Sequence, residues 1–209
     1  MTIAIENLDD RDIFDSGDLA VINKIEKLTC SARDKWNHDD FKVTYKKLKT
    51  SLLDEQDKHC FYCQKQYLSI SMDDWHIDHI VPIDEDSRFT FCDRNLVVSC
   101  KWCNRLKNDK PVLVNSPKTA KYSKAKNNYR VVHPRYDIYS TNIDILGGQV
   151  YVGRTPKGRR TVHDCVLDRF ILNYLSSVKS SDRSFVEGAL TLLLSGSPKK
   201  LIDFIKALP

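Results

Sequence analysis

Four cysteines in this chain are spaced for metal chemistry: Cys60 with Cys63, and Cys100 with Cys103. A C-x2-C turn aims two sulfurs at one point, and two such turns supply the tetrahedral thiolate shell that zinc prefers, with Zn–S near ~2.3 Å. Zinc on four cysteines has no open coordination position, so its role would be structural. The alternative is four unligated thiols. The other three cysteines, Cys30, Cys92 and Cys165, lack such a partner and read as ordinary small core residues. The stretch between the pairs, residues 64–99, exceeds the about 15–20 residues of a plain zinc ribbon, so the knuckles carry something between them.

That insert is rich in groups that move protons or hold cations. Trp75, His76, Ile77, Asp78, His79, Ile80 and Val81 alternate like a strand, and Pro82 ends it. Residues 94–100 form a short apolar strand, and Lys101 to Lys107 can begin a helix. The order is strand, loop, strand, helix. A histidine with a pKa near ~6.5 can take a proton from water at neutral pH. A divalent cation can stabilise charge on a phosphorane-like transition state and help the leaving oxygen. Together these are what phosphodiester hydrolysis requires.

The runs IDHIVP (77–82), NLVVSC (95–100) and CNRLK (103–107), framed by the two knuckles, resemble the signature of HNH endonucleases. The resemblance implies a ββα-metal module in which His79 is the general base and Asp78 a metal ligand. Neighbours on a strand point to opposite faces, so this pair must sit where the strand ends and twists. Asn95, the middle letter of the signature, would tie the loop to the strands and orient His79 without touching substrate. Asn104 stands where many family members have a third histidine; its oxygen suits Mg²⁺ or Mn²⁺ better than zinc or nickel. His76, two residues before Asp78, either contacts the scissile phosphate or supports those that do. Arg105 and Lys107 either bind phosphates or form a solvated helix face. Residues 41–63 and 133–169 further resemble the HNH components of bacterial anti-phage systems. In the Septu and retron-linked members the nuclease works with an ABC-type ATPase. The resemblance therefore implies such an ATPase as partner, with a retron reverse transcriptase and its DNA as a further candidate, and DNA ahead of RNA as substrate.

These residues need a scaffold. Leu19, Ile22, Ile25 and Leu28 recur at steps of three after a Ser16–Gly17 turn, which predicts a short amphipathic helix over 18–28. Asp39 and Asp40 are placed to cap a second helix carrying Phe41, Tyr45, Leu48 and Leu52. Residues 115–130 are polar and basic, a loop or poorly periodic helix. There Lys118, Lys121, Lys124, Lys126 and Arg130 would track a nucleic-acid backbone with Tyr122 and Tyr129 stacking on bases, or simply form a surface loop. Residues 143–152 predict a hairpin turning at Gly147–Gly148, and 157–160 another turn. Leu167, Ile171, Tyr174, Leu175 and Val178 mark a longer helix, Leu190, Leu193 and Leu194 another, and Pro198 opens a last short one. The expected class is α+β: a helical segment over 1–55, a central ββα-metal module with its zinc site over 56–112, and a basic linker with a C-terminal hairpin and helices over 113–209.

Of 209 residues, 41% are hydrophobic and 29% charged, the balance of a globular protein rather than a disordered one. No run approaches the ~18 apolar residues of a membrane helix, and the acidic start MTIAIENLDD is no signal peptide, so the expected place is the cytoplasm, away from membranes. A net charge of +5 suits a polyanionic partner without requiring one. The rival reading is a zinc-ribbon nucleic-acid-binding or adaptor module that cuts nothing.

Overall fold

The computed structural model describes residues 3–67, 72–115, 121–146, 148–171 and Thr191. Three helices lead the chain: α1 (Ser16–Glu26), the single-turn α2 (Ala32–Trp36) and α3 (Lys42–Glu55). Helix α1 starts two residues before the position its apolar spacing marks, because Asp15 caps it in a reciprocal capping box with Asp18. Asp39 and Asp40 do not cap α3. They lie in a 3-10 turn that leads into it, facing outward to Lys42 and Lys24, each at 2.7 Å.

The central hairpin pairs β1 (Trp75–His79) antiparallel with β2 (Leu96–Cys100), with Asp78 opposite Val97 and His79 opposite Leu96. Cys100 is at once the last residue of β2 and the N-cap of α4 (Lys101–Lys107), so helix follows strand with no intervening loop. The ββα order expected from the motif is the order found.

After the core come α5 (Tyr139–Asn142), the hairpin β3 (Ile143–Leu146) and β4 (Val150–Gly153), and α6 (Pro156–Asp164). The hairpin falls where it was predicted, with Gly148 at φ 72, a conformation only glycine adopts freely. The turn predicted at 157–160 is instead the first part of α6. Thr155 caps that helix and Pro156 occupies its first turn, the two start signals that outweigh a glycine. Gly158 serves close packing: a Cβ there would lie 1.9 Å from the Asn142 carbonyl oxygen. Of the helix predicted from Leu167, the structure describes Leu167 to Ile171, buried at its ends. Tyr174, Leu175, Val178 and the two later helices lie outside the described residues.

One hydrophobic core spans all three segments, joining Ile25, Phe41 and Leu52 to Phe61, Ile77, Val97, Tyr139 and Ile143. A smaller cluster of Val81, Phe89, Val112, Tyr122 and Tyr129 lies under the loop between β1 and β2. Among the described residues no helix is long and apolar enough to cross a membrane.

Candidate active site

Lysine 107 organises the floor of the site. Its side chain is 1% exposed and its Nζ donates to Asp78 Oδ1 (3.2 Å) and to the His79 carbonyl (2.7 Å). It thus fixes the last two residues of β1 from the end of α4. The other Asp78 oxygen accepts a short hydrogen bond from the Tyr62 hydroxyl. Burial raises the Asp78 pKa, and the Lys107 charge and the Tyr62 bond oppose that rise. The expectation of Lys107 as a phosphate contact is corrected here: it has no surface to offer, because its charge balances a buried carboxylate.

His79 is fixed from both sides. Its Nε2 lies 2.9 Å from the Thr90 carbonyl oxygen, which can only accept, so Nε2 carries the proton and Nδ1 keeps the lone pair. Trp36 packs edge-on against the imidazole, ring centroids 4.4 Å apart. Burial, helped by the Lys107 and Arg33 charges, lowers its pKa to about 4 against the opposing Thr90 bond, so the ring is neutral at pH 7. Just past β1, Asn95 clasps the chain. Its Oδ1 accepts from the Val81 N–H (2.7 Å), and its Nδ2 donates to the carbonyls of Val81 (3.0 Å) and Phe89 (3.1 Å). Asn95 is fully buried, holds the loop through these bonds and does not line the cleft.

His76, Asp78, His79, Asn104 and Arg105 line one cleft of about 320 Å³. Asn104 Nδ2 donates to His76 Nδ1 at 3.0 Å, which leaves the Asn104 oxygen unused by that contact. Burial lowers the His76 pKa, and the charges of Lys49 and Lys101 lower it further. Further residues of the cleft escaped the motif, four of which bear on its chemistry or shape. Asn108 lies one helical turn beyond Asn104, an i,i+4 spacing that was legible in the sequence. Arg33, Trp36 and Tyr45 come from α2 and α3, and nothing local in the sequence brings them here. Arg33 sits at the rim, bidentate to Asp84 (2.9 and 2.7 Å) and 2.9 Å from Asp109.

The site suits a hard cation held by few protein groups. Each Asp78 oxygen accepts one hydrogen bond and retains a lone pair, and the Asn104 oxygen adds a neutral donor. Oxygen donors with water and phosphate completing the shell are what Mg²⁺ and Mn²⁺ accept. No second cluster of three or more His, Cys, Asp or Glu groups gathers among the described residues.

The cysteine quartet is assembled. The Sγ atoms of Cys60, Cys63, Cys100 and Cys103 all lie within 4.8 Å of one another and all four residues are buried, a fit for tetrahedral zinc. Arg169 Nη2 donates to Cys103 Sγ at 3.1 Å, placing a cation against a shell that is anionic once deprotonated. Tyr62, between Cys60 and Cys63, carries the hydroxyl that holds Asp78, so the knuckle and the cleft are one bond apart.

In the basic stretch the described lysines are at the surface, but the tyrosines are not where base stacking would need them. Tyr122 and Tyr129 are 7% and 2% exposed and belong to the smaller core, so neither is available to stack on a base. Lys121 and Lys124 are exposed, and Lys124 pairs with Asp10 at 2.5 Å; Lys118 lies outside the described residues.

Residues 60–110 match the family model of the HNH endonucleases, so the chain carries an HNH domain with a four-cysteine cluster in an α+β fold. No curated protein and no solved structure matches the chain.

Proposed function

We propose that the protein is a metal-dependent HNH endonuclease that hydrolyses nucleic-acid phosphodiester bonds, with His79 as general base. The observation carrying this reading is the imidazole locked by Thr90 through Nε2, which leaves the lone pair on Nδ1, on a residue that lines the same cleft as Asp78 and Asn104. Water at Nδ1 gives up a proton as its oxygen attacks phosphorus, and the Thr90 carbonyl steadies the imidazolium that forms. Asp78 and Asn104 would hold Mg²⁺ or Mn²⁺, whose chemistry is to neutralise charge on the phosphate and leaving oxygen. Lys107 and Tyr62 keep Asp78 in place, Asn95 keeps the loop carrying Thr90 against the strand, and Arg105 at the cleft edge faces the substrate backbone. The four cysteines hold structural zinc. The test is cleavage of single- and double-stranded DNA and of RNA with Mg²⁺ and with Mn²⁺. Cutting that survives His79→Ala would remove the base from this scheme; no cutting of any substrate would favour the binding or adaptor alternative.

The finer reading is an anti-phage effector in the cytoplasm, restrained by a partner ABC-type ATPase and, in a retron-linked form, accompanied by a reverse transcriptase and its DNA. It is supported by the resemblance of residues 41–63 and 133–169 to such components. A ββα-metal site reads backbone more than sequence, so selectivity must come from outside it. Co-expression with a neighbouring ATPase gene followed by size-exclusion chromatography tests this. Failure to co-elute, with phage protection by the nuclease alone and no harm to the host, would refute it.

A further inference from the structure

A second concavity adjoins the cleft. It has a volume of about 700 Å³ and shares Trp36, Asn37 and Tyr45 with the cleft, so the two meet at one aromatic wall. Its far side is α3, where Lys42, Lys46 and Lys49 follow at steps of four and three and therefore share a helix face, Lys42 and Lys46 exposed and Lys49 buried. Among the described residues Asp73 is the one carboxylate lining it. The contrast with the neighbouring residue on the same helix is informative. Lys47 is engaged by Asp15 and Asp18 at 2.5 and 2.7 Å, whereas Lys42 meets only the highly exposed Asp39, and Lys46 forms no ion pair among the described residues. Exposed pairs such as Lys42–Asp39 are worth ~0–1 kcal/mol and yield readily to a phosphate.

We infer that this groove binds a single strand of the nucleic-acid substrate as it leaves the cleft, its phosphates along Lys42 and Lys46 and its bases toward Trp36 and Tyr45. Charge complementarity selects a polyanion, and the shared wall with the cleft selects the chain being cut rather than an unrelated ligand. The aromatic wall selects unpaired bases, since rings inside a groove reach base faces only where the strand is unstacked. The inference rests on the nuclease reading for what lies in the cleft, but its test does not need cleavage.

The test uses the full chain carrying His79→Ala, so that probes stay intact, and fluorescence anisotropy with labelled single-stranded DNA, single-stranded RNA and duplex DNA of mixed sequence. The variant is Lys42→Glu with Lys46→Glu. Both positions are exposed, and a glutamate in the first turn of α3 favours the helix dipole, so the fold is kept. Arg154→Glu with Arg159→Glu, exposed and outside the groove, makes the same charge change as a control. Losing two phosphate contacts should flatten the single-strand salt slope by about 1.4 and weaken binding by roughly tenfold at physiological salt. The control should do neither. Unchanged single-strand affinity and slope, or a loss confined to the duplex, overturns the groove. In the His79-intact protein the groove variant should raise KM and leave kcat. If the unaltered protein cuts nothing while the variant still loses single-strand binding, the nuclease reading falls and the groove stands.

Discussion

Replacing Asn95 with alanine removes four hydrogen bonds at once from a site with no exposed surface. The partners are the Val81 N–H, the Val81 and Phe89 carbonyls, and the Tyr122 hydroxyl at 3.1 Å. A net worth of about 1 kcal/mol for each gives a loss near ~4 kcal/mol, roughly a thousandfold in the folding constant. Water entering the vacated volume could satisfy some of the partners, which sets a floor of ~2 kcal/mol. Urea unfolding of the variant and the parent measures the difference. The isosteric Asn95→Asp sharpens the test, because its second oxygen would face two carbonyls and must be protonated to donate. Its folded pKa is then raised above the ordinary ~3.9, so the folded state binds the extra proton; stability is present at low pH and is lost as pH rises through the raised value. Cleavage by either variant should fall further than folded fraction alone accounts for, since the clasp positions the loop bearing Thr90 and hence the His79 tautomer. A loss under ~1 kcal/mol for the alanine variant, or a pH-independent aspartate variant, refutes the clasp.

His79→Ala should lower the cleavage rate by about 10²–10⁴ with zinc content near the parent's, read by single-turnover kinetics and elemental analysis. One zinc per chain should survive a chelator wash, and Cys60→Ser or Cys103→Ser should abolish cooperative unfolding, because metal binding is part of the folding free energy; a folded zinc-free protein contradicts this. Lys107→Met should cost ~3–5 kcal/mol by stranding the buried Asp78 charge, yet leave the salt slope of nucleic-acid binding unchanged, as a surface phosphate contact would not. His79, at about 4, and His133, pushed well below its ordinary value by burial, both have folded pKa values beneath the unfolded ~6.5. The unfolded chain therefore binds more protons as pH falls, and stability, complete above ~6.5, should drop by about 1.4 kcal/mol per pH unit for each histidine below it. His133→Gln should flatten that slope in urea midpoints taken between neutral and mildly acidic pH.

The cysteine pairs and the Asp78–His79 dipeptide were legible because their chemistry depends on local spacing: a C-x2-C turn and a strand end each fit within a few residues. Asn104 was legible for the same reason, and Asn108 should have been, one helical turn on. Arg33, Trp36 and Tyr45 were not, because they reach the cleft through packing of α2 and α3 on the hairpin, which no short window encodes. Lys107 was misjudged on a sound generality, that lysines on short helices face solvent. What overrode it was Asp78, a buried carboxylate that needed a counter-charge 29 residues away in sequence. Tyr122 and Tyr129 went the same way: their basic neighbours suggested a surface, while the loop between β1 and β2 needed large side chains beneath it.

The residues that match the HNH family supply the candidate site but do not hold themselves in place. Gln56, before the first knuckle, bridges the chain at Val98, accepting from its N–H and donating to its carbonyl, both at 2.8 Å. From the other side, His133 Nδ1 accepts from the Arg135 N–H, which assigns the ring proton to Nε2. That proton is donated to the Tyr122 hydroxyl (2.9 Å), which in turn donates to Asn95. Arg169 reaches back from beyond α6 to the Cys103 sulfur. Each support touches a different part of the module: β2, the Asn95 clasp and the cysteine cluster. The flanking segments are thus part of the mechanics of the candidate site. A contact that shifted α3 or the chain around His133 and Arg169 would reach His79 and Asp78 through two or three hydrogen bonds, without any need to touch the cleft.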